Sequence, residues 1–131
     1  MANSKTARLQ RLVRVTELIY RRESAELARL HLEVRAATDG TADAERRLDD
    51  PLAGGDFIFQ LSMARAARAR RNQAGAELQF HSQLDVTMNA MGQKKGAEGG
   101  LKSHSLAIRN ALSRRDDDEI LERLVSLLRP A

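Results

Sequence analysis

The chain has 131 residues, enough for one domain, with 31% charged residues, a net charge of +4 and only 3% aromatic residues. It has one Tyr, three Phe and no Trp to fill a wide core, so a thin seam of Leu, Val, Ala and Met is the economical solution. The absence of cysteine excludes disulfides, thiolate metal sites and Cys nucleophiles.

The first predicted helix starts near Asn3 or Ser4, either of which can cap free N–H groups, and runs to about Leu48. It carries a heptad ladder. Position a is occupied by Thr6, Val13, Tyr20, Leu27, Val34, Thr41 and Leu48. Position d is occupied by Leu9, Thr16, Glu23, Leu30, Ala37 and Ala44. Glu17, Glu26 and Glu33 flank this seam, while Arg8, Arg11, Arg14, Arg21, Arg22, Arg29 and Arg35 face away from it. Leu12 and Ile19 widen the apolar face near the N-terminal end, and Thr38-Asp39-Gly40 is a weak spot where a kink or fraying is expected. A helix with one narrow seam needs a partner helix. The sharp turn at about 49–55, through Asp49-Asp50-Pro51-Leu52-Ala53-Gly54-Gly55, provides one by reversing the chain.

The second predicted helix begins with Asp56 as its cap and runs to about Met91. Phe57, Leu61, Ala64, Ala67, Ala74, Leu78, Leu84, Met88 and Met91 are its candidate seam residues, at helical but imperfect heptad spacing. Gly92, Gly96, Gly99 and Gly100, with Lys94 and Lys95 among them, predict a flexible hinge over 92–100. Asp116 followed by Glu119 resembles a capping box, so a short amphipathic helix is expected at about 117–129, ended by Pro130. The expected fold is all-α: a long antiparallel two-helix coiled-coil hairpin over 1–91, a Gly-rich hinge, and a C-terminal segment 101–131 with one short helix.

Charge is segregated. Residues 1–36 hold eight Lys or Arg against four acids, residues 37–56 two against six, residues 57–95 six against two, and residues 96–131 six against six. The stems are therefore basic and the turn acidic. Arg65, Arg68, Arg70 and Arg71 cluster on the second helix, where they can meet phosphates or an acidic protein. No recognition motif or set of stacking aromatics accompanies them.

His31, His81 and His104 lack paired metal-ligand spacing, and the acid runs at Asp49-Asp50 and Asp116-Asp117-Asp118 are explained by turn and cap roles. Lys94-Lys95 and their glycines do not follow the G-x-x-x-x-G-K-[ST] order of a phosphate loop. No enzymatic activity, cofactor or metal is expected. No apolar run reaches the ~7 residues of a signal peptide core or the ~18 of a membrane span, so an intracellular protein without membrane insertion is the expectation.

Leu-x-x-Leu spacing with interleaved arginines over Arg8-Leu9-Gln10-Arg11-Leu12-Val13-Arg14-Val15, an acidic Gly/Pro turn and an Arg-rich return helix together resemble the FliJ family, the central-stalk proteins of flagellar and other type III export machines. The resemblance covers residues 4–91. It implies a hairpin whose open end enters a ring-shaped export ATPase, with further contacts to the export gate and export chaperones. The family's gate-contacting stretch has an aromatic residue, Leu, a small residue and His at helical spacing. Here Phe57, Leu61 and Ala64 match it and Arg68 stands in place of His. The resemblance implies partner-binding roles for Phe57, Leu61, Ala64 and Arg68 toward the gate and for Arg8, Arg11 and Arg14 toward the ATPase, in the cytoplasm at the periphery of an export apparatus. The glycine-rich stretch at 92–100 departs from the family's uninterrupted return helix. Two alternatives stand beside this one: a basic coiled-coil protein that binds nucleic acid, and a secretion chaperone or assembly scaffold whose C-terminal helix docks on a partner.

Overall fold

The computed structural model describes residues 2–49 and 55–129, and contains two α-helices, α1 (Ala2–Leu48) and α2 (Asp56–Leu128). No strand occurs among the described residues. Asp50 to Gly54, the middle of the expected turn, lie outside them. The chain divides into two units, Leu18–Met91 and Met1–Glu17 with Gly92–Ala131.

The heptad of α1 is realised in full. All thirteen a and d positions from Thr6 to Leu48 are buried or half-buried, and apart from Glu17, Ile19, Ser24 and Glu26 at flanking positions, every other residue from Ser4 to Asp49 is exposed. The three buried threonines of the seams cost little because each hydroxyl has a carbonyl of its own preceding turn within hydrogen-bond reach. Thr16 Oγ1 reaches Leu12 O at 2.9 Å, Thr41 Oγ1 reaches Ala37 O at 3.0 Å and Thr87 Oγ1 reaches Gln83 O at 2.8 Å. The helix does not fray at Thr38-Asp39-Gly40 but continues to Leu48, with Thr38 Oγ1 bonded to Val34 O.

The seam of α2 differs from the expected one. Burial follows Ser62, Ala66, Ala69, Gln73, Ala76, Phe80, Gln83, Thr87 and Ala90 in the first unit, then Lys94, Ala97, Leu101, His104 and Ile108 in the second. Within each unit these positions alternate steps of four and three, which keeps one face of that stretch toward its partner. The larger apolar residues of α2 slip out of that repeat, and of the expected seam only Leu84 is half-buried. Phe57, Leu61, Leu78, Met88 and Met91 are exposed, as are Ala64, Ala67 and Ala74. Small residues suit this seam because α1 already supplies the bulk in Tyr20, Leu27, Leu30 and Val34. The helices of the Leu18–Met91 unit run antiparallel, since Glu23 meets Gln83 and Thr87, His31 meets Phe80, and Glu45 meets Arg70.

The break expected at 92–100 does not occur. Gly92, Gly96, Gly99 and Gly100 are exposed within continuous helix, and a Cβ at any of them would meet nothing within 4 Å. Each costs about 1 kcal/mol relative to Ala, and burial of Lys94, Ala97 and Leu101 on the opposite face offsets it. The separate helix expected at 117–129 is likewise the end of α2, and Asp116 occupies helix interior instead of a cap. Gly55, at φ 96°, takes the cap position expected of Asp56. Its carbonyl accepts from Phe59 N at 3.0 Å, and Asp56 falls in the first turn, where its charge suits the helix dipole. α1 already includes Ala2, ahead of the caps expected at Asn3 or Ser4.

Candidate interaction surface

α2 opens with an uncovered apolar patch. Phe57 is 77% exposed, and Ile58, Phe59, Leu61 and Met63 are also exposed. Phe57, Leu61, Ala64 and Arg68 follow one another by steps of four, three and four residues, so they share one helix face. That face is offset from the seam residues Ser62, Ala66 and Ala69. The patch passes directly into Arg65, Arg68, Arg70 and Arg71, all exposed. Arg70 Nε donates to Glu45 Oε1 at 3.0 Å, whereas Arg65, Arg68 and Arg71 have no ion pair among the described residues. The arrangement offers an apolar anchor and adjacent positive charge on one helix. Ile58, Phe59 and Met63 belong to this surface although the heptad reading passes over them; their signal in the sequence is the density of large apolar residues right after a turn.

Arg8, Arg11 and Arg14 are exposed on α1 in the unit formed by Met1–Glu17 and Gly92–Ala131. Arg11 Nε bonds back to Ala7 O at 3.4 Å. They are not brought into the unit that carries Phe57, Leu61, Ala64 and Arg68.

The most connected polar site lies inside the seam of the Leu18–Met91 unit. Gln83 Nε2 donates to Glu23 Oε2 at 2.6 Å and to Glu23 O at 3.2 Å, and Thr87 Oγ1 donates to Glu23 O at 3.2 Å. Arg22 reaches the other carboxylate oxygen from outside. A polar residue at a d position is costly unless paired, and one that finds its partner in a single register fixes that register. Glu23 is thus satisfied within one chain.

The Gln83 amide, then Arg22, hold the Glu23 carboxyl below the ordinary carboxylate value of 4.5, and Arg29 does the same for Glu26. A lowered folded-state pKa adds stability that is present above the unfolded value and lost as pH falls through the folded one. Acidification below pH 4.5 should therefore lower the melting temperature, and the Glu23→Gln variant should lose less over that range in thermal melts followed by circular dichroism.

His31 and His81 each set their rings 5.8 Å from Phe80, and His104 Nε2 lies 3.2 Å from Thr6 Oγ1. Among the described residues no group of three or more His, Asp or Glu could hold a metal ion, and no helix is long and apolar enough to cross a membrane. No family model matches the chain, and no curated protein is significantly similar to it.

Proposed function

We propose that the chain is a non-enzymatic coiled-coil interaction protein whose partner contact is carried by the start of α2, in a role like the central stalk that couples an export ATPase to a type III or flagellar export gate. One observation carries the reading: Phe57, Leu61, Ala64 and Arg68, which would pack the hairpin if they served the fold, are exposed on a common face. A contiguous exposed apolar patch marks an interaction site, and its Phe, Met and adjacent Arg residues are types enriched at protein interfaces. The resemblance of residues 4–91 to export stalks supplies the partner class, and the exposed Arg8, Arg11 and Arg14 supply a basic surface for the ATPase.

The test is an affinity capture of the tagged full chain from the cytosol of its host after nuclease treatment, with partners read by mass spectrometry. A ring-forming ATPase or an export-gate subunit is expected. The Phe57→Asp/Leu61→Asp double variant should lose the gate subunit by about tenfold or more while keeping its helicity. Charge reversal of Arg8, Arg11 and Arg14 should weaken ATPase stimulation. Capture of nuclease-sensitive material alone would overturn the stalk reading. It would favour a nucleic-acid binder working through Arg65, Arg68 and Arg71.

A further inference from the structure

Every residue from Arg109 to Arg129 is exposed, although α2 is helical through Leu128. Burial on α2 ends at Ile108, and continuing the same heptad would place Arg115 and Glu122 in the seam. A neighbouring stripe keeps the alternating steps of four and three: Ala107, Ala111, Arg114, Asp118, Leu121 and Val125. Read against itself in reverse, this stripe is complementary at each level. Ala107 falls opposite Val125, Ala111 opposite Leu121, and Arg114 opposite Asp118, so that each large residue meets a small one and each charge meets its opposite. A parallel, in-register pair would instead set Arg114 against Arg114 and Asp118 against Asp118. Neither residue has an ion pair within the chain among the described residues, so both charges are available.

We propose that this segment of α2 pairs with the same segment of a second copy of the chain, antiparallel about a two-fold axis at Asp116. The contact is isologous: each Arg114–Asp118 pair occurs twice, and the Arg114-Arg115 block of one copy lies level with the Asp117-Asp118 block of the other. Leu121 and Val125 leave water in the pairing, which supplies the apolar part of the interface. The proposal does not depend on the stalk reading. It adds a self-association site at the end of α2, away in sequence from the surface at Phe57 to Arg68.

Charge exchange tests it, with the full chain followed by sedimentation equilibrium. The native chain should be a dimer. The Arg114→Asp variant and the Asp118→Arg variant should each raise the dimer dissociation constant by about tenfold or more, because each sets like charges against one another at both pairs. Mixed in equal amounts, the two variants should associate with each other, since Asp at 114 then faces Arg at 118 and the second pair keeps its opposite charges. The double exchange in one chain should restore the homodimer. Unchanged circular dichroism separates these effects from misfolding. A native chain that stays monomeric, or single variants that fail to associate on mixing, would overturn the proposal.

Discussion

The Ala66→Asp variant should lose about 3 kcal/mol of stability, whereas Ala64→Asp should lose no more than about 0.7 kcal/mol. The two positions are separated by one residue in the same helix and begin as the same side chain. Ala66 is 1% exposed and Ala64 is exposed, so only the first substitution buries a carboxylate. Asp is too short to carry its charge fully out of the seam. At position 64 the new carboxylate stays in water, and the cost is the lower helix propensity of Asp. Denaturant midpoints of the two variants, compared with the parent, measure the difference. Equal losses would mean that α2 does not present Ala66 to the seam.

Leu30→Ala should cost about 2 kcal/mol, and Leu32→Ala should change stability by less than about 0.5 kcal/mol. Among the described residues Leu30 is the one buried large aliphatic side chain, at 5% exposure, and it occupies a d position of α1. It lies beside an open groove of about 480 Å³ that also exposes Leu78 and Val86. Water can therefore enter the space the substitution leaves, which places the loss at the low end of the range for core leucines. Leu32 is 64% exposed and loses little contact on truncation. Equilibrium unfolding by guanidinium checks both values.

These expectations rest on a seam that the sequence displays on one helix and conceals on the other. On α1 the 3.5-residue repeat is written in large side chains, Leu9, Val13, Tyr20, Leu27, Leu30 and Val34, and the burial pattern follows it position by position. On α2 the repeat is written in Ser62, Ala66, Ala69, Gln73 and Ala76, residues whose hydropathy does not mark them as interior. The eye follows Phe57, Leu61 and Leu78 instead, and these face outward. A strict count of threes and fours, matched in length to the heptad of α1, was the signal that could have found the true face. Glu23 offered another clue. A carboxylate at a d position demands a donor from across the seam, and Gln83 supplies it, while Thr87 one turn on bonds the Glu23 main-chain carbonyl.

The glycines misled for a different reason. Four of them in nine residues weaken helix propensity, yet propensity is a sum of roughly 1 kcal/mol terms that seam burial at Lys94, Ala97, Leu101 and His104 can outweigh. The acidic run at Asp116 to Glu119 has the letters of a helix start. In a helix already propagating from Asp56 it becomes an exposed charged stretch. Of the candidate partner-binding residues, Phe57, Leu61, Ala64 and Arg68 were legible as a set by helical spacing alone. Their exposure was not, because the same spacing serves a seam equally well.

Thiol accessibility tests the orientation of α2 most directly, because the chain has no cysteine of its own and a single introduced thiol reports without background. Leu61→Cys and Ala66→Cys variants would be treated with a maleimide under native and denaturing conditions. Reaction at position 61 near the rate of the unfolded chain, with at least about tenfold protection at position 66, is the predicted result. Protection at 61 with free reaction at 66 would place the large apolar residues in the seam and contradict the account.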